Sequence, residues 1–368
     1  MVPESNASKI NIFPAPSTMK AAVGTGFGEI EENVFVRDDW PTPTLDPEDE
    51  DHLILRVLAC ALAPGDVRVL SGKTAYMQLP EGPPWVIGSD VAGIVLQAPT
   101  SSKKFHVGDY VVSRFDEPKP QGGVAECRKV LIKLTEKCPD LIPPVVACGL
   151  PASAMAAKRV VTDFVREGDR VLVIGGSGAV GSSVLQYSKL RGASFIAAVS
   201  SQVELCKRLG AAQVVDYRDQ KWWEVTDFQK QKFDVAIDLV NGENWIVGAY
   251  SKKAIKGGGT YVALMTGVQT EIEVRGILDI IPFMSVFIGR MLLSRLHPKI
   301  PKWVAPEALR LEDGDLKELF KDVVSGRLEP IVDPRSPFTF DDDGVRKAMA
   351  LQKSKHAHGK VVIQIGEK

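Results

Sequence analysis

Residues 171–181 read VLVIGGSGAVG, and this stretch decides how the rest of the chain is interpreted. A continuous apolar run ends in five small residues, after which the sequence turns apolar again. Within it, Gly176, Gly178 and Gly181 have the spacing GxGxxG. Between a strand and a helix, this spacing is typical of a loop that binds the pyrophosphate of a dinucleotide. The ordinary alternative is a glycine-rich turn that binds nothing.

The three glycines have different physical roles in such a loop. The first permits a tight turn, the second lets the backbone approach the pyrophosphate, and the third lets the helix pack closely on the strand. The N–H groups and the positive dipole end of the helix then face the phosphates. The loop residues predicted to contact the cofactor are Gly176, Ser177, Gly178, Ala179, Val180 and Gly181.

From about Gly149 onward, strand-like runs alternate with helix-like runs, which predicts a parallel sheet with helices on both faces. The strand-like runs are RVLVIGG (170–176), SFIAAVSS (194–201), QVVDY (213–217), FDVAIDLV (233–240) and GTYVALM (259–265). Val240 and Leu264, near the ends of the last two runs, are assigned to the same predicted cofactor site.

The chain before Cys148 favours β structure, because runs rich in Val, Ile and Leu are separated by Gly and Pro. The run GKVVIQI (359–365) predicts a terminal strand. The predicted class is α/β, with an irregular β domain and a doubly wound, Rossmann-type parallel sheet. The expected division is a flexible extension at 1–18, a β domain formed by 19–147 and 325–368, and a cofactor domain at 148–324.

The end of the second strand-like run predicts which dinucleotide binds. NAD sites usually place Asp or Glu there, about 20 residues after the glycine motif, on the ribose 2′-hydroxyl. Here the run ends with Ser200 and Ser201, whose hydroxyls can donate to a 2′-phosphate that a carboxylate would repel. We therefore predict NADPH rather than NADH, with a further contact from Tyr217. The nearest basic residues are Lys207, Arg208 and Arg218, which could equally form a solvated surface.

The composition of the 368 residues excludes several classes of protein. Lys and Arg number 45 against 46 Asp and Glu, a net charge of −1, so nucleic acid is not predicted as a partner. The five cysteines contain no CxxC pair, so neither a disulfide framework nor a structural zinc cluster is expected. A reducing compartment, the cytoplasm, is predicted, since residues 1–18 lack the apolar segment of a secretory signal. An organellar or membrane-peripheral location stays open.

One apolar stretch, ILDIIPFMSVFIGRMLL at 277–293, resembles a membrane segment. Its 17 residues are at the lower limit for crossing a bilayer, and they include Asp279, Pro282 and Arg290. We therefore predict a buried or interface helix, with peripheral membrane contact as the alternative.

In order and spacing, several segments resemble the zinc-independent medium-chain dehydrogenase/reductases, in their quinone oxidoreductase-like branch. The resemblance implies a GroES-like β domain, a Rossmann domain, and a cleft between them where nicotinamide meets substrate. It also implies a homodimer. The matching segments are MKAAVGTGFGE (19–29), VLACALAPGDVRVLSG (57–72), VIGSDVAGIV (86–95), HVGDYVV (106–112), GDRVLVIGGSGAVG (168–181), KRLGAAQVVDY (207–217) and HGKVVIQI (358–365).

Zinc-dependent members of this family hold catalytic zinc with a Cys and a His-Glu pair, and the matching positions here are Ala63 and Ser89–Asp90. Since a catalytic zinc needs three protein ligands, no metal is predicted. Without a Lewis acid to activate an alcohol, reduction of an electron-poor acceptor is favoured. A quinone or an α,β-unsaturated carbonyl compound is therefore the expected substrate.

Two candidate catalytic residues follow from the resemblance. Asp66 matches an aspartate of the active-site segment, although it could instead cap a turn after Pro64–Gly65. Tyr76 falls where some enoyl reductases of the family carry a tyrosine near the substrate, and its hydroxyl could donate to a developing enolate. A tyrosine at a domain edge is the alternative for Tyr76. Lys73 is a further possible donor, or a solvated side chain.

Two departures from the family pattern keep other functions open. Ala63 stands where many relatives have Asn, and Ala156 stands where many have a Thr that touches the nicotinamide, with Ser153 nearby. The first hypothesis is an NADPH-dependent reductase of quinones or activated enones. The second is a reductase of enoyl thioesters or lipid-derived enones, and the third is a protein that binds NADPH with little turnover.

Overall fold

The computed structural model describes residues 16–73, 82–115, 121–264, 278, 280–306 and 314–368, so Tyr76 and residues 1–15 lie outside the described residues. The strands are β1 (Thr18–Gly24), β2 (Val34–Pro41), β3 (His52–Ala61), β4 (Trp85–Val86), β5 (Val91–Gln97), β6 (Tyr110–Ser113), β7 (Cys127–Leu131), β8 (Thr135–Lys137), β9 (Arg170–Ile174), β10 (Phe195–Val199), β11 (Gln213–Val215), β12 (Phe233–Asp238), β13 (Ile255–Ala263), β14 (Lys302–Val304) and β15 (Val362–Gln364). The α-helices are α1 (Ile30–Asn33), α2 (Pro64–Leu70), α3 (Pro144–Ala147), α4 (Leu150–Phe164), α5 (Ala179–Leu190), α6 (Val203–Arg208), α7 (Thr226–Lys230), α8 (Ile280–Leu296), α9 (Asp315–Val324) and α10 (Asp342–Ser354).

The second half of the chain forms a parallel sheet in the order β11-β10-β9-β12-β13-β14. This is the order 3-2-1-4-5-6 of the doubly wound Rossmann fold. Alternate residues of β9 face opposite layers: Val171 and Val173 join a core with helix α5, whereas Leu172 and Ile174 join a core with Trp222. Helices therefore cover both faces, which confirms the predicted Rossmann sheet.

The first half of the chain is antiparallel. Its main sheet has the order β15-β3-β5-β6-β8, with β7 also paired to β3, and a smaller sheet has the order β2-β1-β4. Strand β15 reaches β3 from the other end of the sequence, with Ile363 opposite Cys60. This β part corresponds to the predicted GroES-like fold, so the α/β class with its two kinds of sheet is confirmed.

Helix α4 joins the two halves. It is rich in alanine, and the small side chains of Ala154, Ala156 and Ala157 are buried in a core that also contains Leu58 of β3. At the start of the helix, the Ala152 N–H donates to the Asp90 carboxylate over 2.9 Å. Small side chains let the helix lie close to both sheets, and the ion-dipole contact sets its first turn.

Helix α8 differs from its prediction. The stretch is helical, but several of its apolar side chains are exposed, so the expectation of a buried helix is wrong for the single chain. Phe287 stacks edge-on with Trp303 of β14, with ring centroids 5.1 Å apart, and this fixes the helix against the sheet edge. Within the described residues, no helix combines the length and apolar character needed to cross a bilayer. The exposed apolar residues of α8 are Ile281, Met284, Val286, Ile288, Leu292, Leu293 and Leu296.

Two smaller features of the packing concern tryptophan and cysteine side chains. Trp222 and Trp223 are buried and contact each other edge-on, with ring centroids 5.5 Å apart, as packing residues rather than a stacking surface. The five cysteines are all buried and unpaired. Burial raises the pKa of the Cys60 and Cys148 thiols well above their usual range, so both are inert neutral side chains.

Candidate functional site

The glycine loop lies between β9 and α5, at the point where strand order reverses between β9 and β12. In open α/β sheets, ligands bind in the crevice at this reversal. The tight turn is made by Gly175, whose φ of +89° belongs to the left-handed region that favours glycine. The motif predicts Gly176 as the residue of the tight turn, and this prediction is wrong. A Cβ on Gly176 would lie 3.0 Å from the Ala198 Cβ, so this glycine is needed for close contact with β10.

The other two glycines of the motif behave differently from each other. A Cβ on Gly181 would lie only 2.1 Å from the Gly175 carbonyl oxygen, so only glycine lets α5 approach the turn this closely. A Cβ on Gly178 would meet nothing closer than 3.5 Å. Gly178 therefore leaves open space above the loop backbone that a side chain would fill. This open space, and the close contact at Gly181, fit a bound pyrophosphate.

The N-terminus of α5 faces the same space. Gly178 occupies the N-cap position, and the helix has no side-chain cap. The first N–H groups of an α-helix have no partner within the helix, so they remain available to a ligand anion. Helix α5 begins with three small or apolar residues, Ala179, Val180 and Gly181, and carries no acidic side chain in its first turn.

A buried aspartate holds the loop that follows β12 beside the glycine turn. The Asp238 carboxylate accepts the N–H groups of Val240 and Asn241, each over 2.9 Å, and the Tyr261 hydroxyl donates to its other oxygen. Asn241 has a φ of 70°, and the two N–H bonds stabilise this left-handed backbone. Burial raises the pKa of Asp238, and the hydrogen bonds oppose this effect.

The same network brings two predicted cofactor residues to the glycine turn. A Cβ on Gly175 would lie 3.0 Å from Val240 Cγ2, and Val240 is 56% exposed, so this side chain covers the turn from the solvent side. The Leu264 N–H donates to the Asp238 carbonyl over 3.1 Å. Val240 and Leu264 thus lie at the carboxyl ends of β12 and β13, next to the loop. No sequence pattern singled out Asp238, although an aspartate that ends a strand of apolar residues was the available signal.

The end of β10 carries the predicted ribose contacts. Ser200 is buried, and its hydroxyl accepts the Gln202 N–H over 3.0 Å, so Ser200 shapes the turn after β10. Ser201 lies in the same turn. Tyr217, which follows β11, is 44% exposed, and its hydroxyl lies 3.5 Å from His356 Nδ1. Ser200 and Ser201 therefore lie just after the end of β10, and Tyr217 lies just after the end of the neighbouring β11.

The nearby basic residues are all paired with carboxylates. Lys207 Nζ lies 3.1 Å from Glu204, Arg208 pairs with Glu329, and Arg218 donates to Asp216. These pairs lie on the surface. Each of the three cations therefore has an anionic partner of its own.

Asp66 occupies the centre of a second, partly buried cluster, on the antiparallel side. Its carboxylate accepts the Ala63 N–H over 2.7 Å, the Gly88 N–H over 2.8 Å and the Ser89 hydroxyl over 3.2 Å. Burial raises the pKa of Asp66, and these three hydrogen bonds act in the opposite direction. Asp66 caps the first turn of α2 and holds this turn against the β4–β5 loop. This is the alternative in which Asp66 caps the turn after Pro64–Gly65.

The positions that hold zinc in related enzymes do not fit a metal here. Both Asp90 oxygens accept backbone N–H groups, from Phe115 and Ala152, each over 2.9 Å. The Arg128 guanidinium is buried near Asp90 and Asp66, and it donates to the Ser89 carbonyl. In the described part of the chain, no three His, Cys, Asp or Glu side chains are grouped as metal ligands. The matching positions therefore hold an alanine, a hydrogen-bonded serine and an aspartate whose oxygens are both occupied, and this set does not supply the three ligands of a catalytic zinc.

Lys360 was missed by sequence reasoning. It is 6% exposed, at the start of the segment that leads into β15, and its Cγ lies 3.1 Å from where a Cβ on Gly149 would be. Its charge favours the ionised form of Asp66. A lysine inside an otherwise apolar run, HGKVVIQI, was the signal available in the sequence. Ala156, which stands where many relatives have Thr, and the neighbouring Ser153 are both buried in α4, which begins directly after Gly149.

The Asp238 network predicts a graded loss of stability. Asp238→Ala removes an acceptor that four donors share, and we expect a loss of about 3 kcal/mol in the free energy of unfolding. Tyr261→Phe removes a single donor and should lower it by about 1 kcal/mol. Chemical denaturation of both variants measures the difference. Equal losses in the two variants would contradict the view that Asp238 holds the loop through its backbone contacts.

Comparison with known proteins identifies the family. Residues 49–163 match the alcohol dehydrogenase GroES-like domain, and residues 209–363 match a family described as zinc-binding dehydrogenase. The chain is 32% identical to the chloroplastic NADPH-dependent alkenal/one oxidoreductase of Arabidopsis thaliana, over 95% of this chain and 80% of that protein. It is also 32% identical to 2-methylene-furan-3-one reductase of Solanum lycopersicum, over 95% of this chain and 79% of that protein.

The structure of the quinone oxidoreductase from Coxiella burnetii has the same fold, with a TM-score of 0.74, 22% identity, and coverage of 94% of this chain and 99% of that chain. The chain therefore belongs to the medium-chain dehydrogenase/reductase superfamily, in its quinone oxidoreductase-like branch.

Proposed function

We propose that this protein is an NADPH-dependent reductase of α,β-unsaturated carbonyl compounds, with quinones as a second class of acceptor. The observation that carries the proposal is the open glycine loop, in which Gly178 leaves space above the backbone at the uncapped N-terminus of α5. The relatives named as an alkenal/one oxidoreductase and a methylene-furanone reductase support this acceptor class.

The chemistry follows from what the site offers. When bound, NADPH supplies a hydride, which the acceptor receives at the β-carbon of its double bond while negative charge moves to the carbonyl oxygen. The cluster of Asp66, Ser89 and Arg128 provides no Lewis acid of the kind that activates an alcohol. The reaction therefore suits an acceptor that is already electron-poor.

Each part of the chain has a separate task in this proposal. The loop backbone and the first turn of α5 bind the pyrophosphate, and Asp238 holds Val240 against the loop. Asp66 positions the first turn of α2 against the β4–β5 loop, beside the acceptor. Tyr76, which lies outside the described residues, is our proposed hydrogen-bond donor to the enolate oxygen. A proton from water then completes the reduction at the α-carbon.

A panel of acceptors tests the reaction. We expect NADPH oxidation with a short alkenal and an alkenone, weaker oxidation with ortho- and para-quinones, and no oxidation of saturated alcohols by NADP⁺. An enoyl thioester belongs in the panel, because preference for it would support the second hypothesis. The loss of NADPH absorbance measures each rate, with NADH as the parallel donor. Binding of NADPH without turnover of any acceptor would contradict the proposed reaction and favour a binding protein.

A pair of glycine variants separates cofactor binding from folding. Gly178→Ala places a methyl group in the open space with no contact below 3.5 Å, so folding should be unchanged while NADPH affinity falls by about tenfold or more. Gly181→Ala pushes α5 from the Gly175 oxygen and should lower the melting temperature as well. Tryptophan fluorescence quenching measures affinity, and thermal unfolding measures stability. Unchanged NADPH affinity in Gly178→Ala would show that the pyrophosphate does not lie above this residue.

We also propose that the apolar face of α8 and the edge strand β14 pair with a second copy of the chain, and that the protein works in the cytoplasm. The unpaired cysteines suit a reducing compartment. Exposed Ile288 and Leu292 lie on the same helix as the Phe287 contact to β14, so a partner copy would cover apolar surface there.

The oligomer is tested by sedimentation. Ile288→Glu combined with Leu292→Glu should convert a dimer into single chains, whereas Leu141→Glu, at a highly exposed site elsewhere, should leave the mass unchanged. A wild-type protein that sediments as a single chain and binds phospholipid vesicles would contradict the dimer and favour peripheral membrane contact.

A further inference from the structure

Two histidines from the segment before β15 lie against the ends of β10 and β11. His358 Nε2 is 3.2 Å from Gln202 Nε2, and His356 Nδ1 is 3.5 Å from the Tyr217 hydroxyl. Gln202 directly follows the two serines after β10. The segment therefore reaches, across 156 residues of sequence, the place where a doubly wound fold contacts the ribose 2′ position of its dinucleotide.

The turn after β10 carries no basic side chain. The turn after β10 consists of Ser200, Ser201 and Gln202, which are all neutral. The cations nearest in sequence, Lys207, Arg208 and Arg218, are each paired with a carboxylate. A 2′-phosphate carries about −1.5 to −2 charges at neutral pH, so a subsite for it needs positive charge from elsewhere in the molecule.

The histidine segment is held in place by its backbone. The His358 N–H donates to the buried Asp333 carboxylate over 2.7 Å, and Arg335 donates to both oxygens of Asp333, each over 2.8 Å. Arg335 also donates to the His356 carbonyl over 2.9 Å. The imidazole rings are therefore preorganised, and the charge of Asp333 is already balanced by Arg335.

The ring of His358 has unused hydrogen-bonding capacity. Its Nδ1 atom is buried and has no hydrogen-bond partner among the described residues. Burial lowers the pKa of His358, Arg335 and His356 lower it further, and Asp333 opposes them. The ring is therefore largely neutral in the cofactor-free protein near neutral pH, and an arriving dianion would favour its protonated form.

We propose that His356 and His358, with Gln202 and Tyr217, form the subsite for the 2′-phosphate of NADPH, and that the phosphate binds together with a proton taken up by the ring of His358. This inference rests on the proposed use of NADPH. Because the His358 ring loses its charge as pH rises, affinity for the phosphate falls with rising pH. A ligand that lacks the 2′-phosphate should show no such change.

Calorimetry with two small probes tests the subsite on the full chain. Adenosine 2′,5′-bisphosphate carries the 2′-phosphate, and adenosine 5′-monophosphate lacks it. We expect the affinity of the bisphosphate to fall about tenfold between about pH 6.5 and about pH 8.5, and the affinity of the monophosphate to stay constant. Repeating the titration in buffers of different ionisation enthalpy counts the proton that is taken up.

Variants locate the proton. His358→Gln should weaken bisphosphate binding at the lower pH and flatten its pH dependence, and His356→Gln should weaken bisphosphate binding, whereas the exposed His106→Gln should behave like the wild type. Gln202→Lys, added to the double histidine variant, should restore bisphosphate affinity without pH dependence, because a lysine stays charged across this range. If His358→Gln fails to fold, His356→Gln still tests the subsite, because His356 is exposed and its substitution should leave the fold intact.

The outcomes separate this inference from the proposed function. If the double histidine variant keeps the wild-type affinity and pH dependence for the bisphosphate, the histidines do not bind the phosphate and the inference is overturned. If the wild type binds NADPH tightly with no pH dependence, the inference fails while the proposed function stands. If the wild type binds neither NADPH nor either probe, the proposed function itself fails.

Discussion

The close contact between Gly181 and the carbonyl of Gly175 is the constraint on which the rest of the site depends. A Cβ at Gly181 would come within 2.1 Å of that oxygen, so the spacing between α5 and the turn after β9 is set by the absence of one side chain. This spacing places the N-terminus of α5 over the turn. Gly175 also lies close to Val240, because a Cβ on Gly175 would be 3.0 Å from Val240 Cγ2. Val240 therefore connects the loop after β12 to the glycine loop. Backbone geometry alone therefore brings two strand ends together at the reversal of the sheet.

Three aspartates, of which Asp90 and Asp238 are buried and Asp66 is partly buried, position the remaining loops in the same way. Asp66, Asp90 and Asp238 each accept two backbone N–H groups, so each carboxylate fixes a loop at the same time as it is solvated by that loop. A buried carboxylate with no such donors would be strongly unfavourable. Arg128 and Lys360 add positive charge near Asp66. Asp66 and Asp90 lie near the positions at which related enzymes bind zinc, and here hydrogen bonds hold the loops that a metal would otherwise hold.

Much of this arrangement is local in sequence, and that part was predictable. The glycine spacing and the alternation of strand and helix follow from patterns within about 30 residues of each other, and they predict a parallel Rossmann sheet. The site depends on longer contacts, such as Tyr261 with Asp238 and His358 with Gln202, which no periodicity encodes. For a related reason, the sequence leaves α8 as either a buried or an interface helix: an apolar run indicates that a surface is covered, but not whether the same chain covers it. Gly175 was passed over because the motif starts one residue later.

The course of the C-terminal segment links cofactor recognition to the first half of the molecule. Strand β15 pairs with β3 of the antiparallel sheet, while the residues just before it contact the ends of β10 and β11. A phosphate bound at these histidines would therefore bridge two sheets that belong to different halves of the chain. Asp333 and Arg335 already anchor the segment, so little conformational entropy is lost when the ligand arrives. A lysine in the β10 turn would bind phosphate equally well, but it would act within the Rossmann sheet alone. Charge supplied from beside β15 would instead make the position of the antiparallel sheet part of the cofactor site.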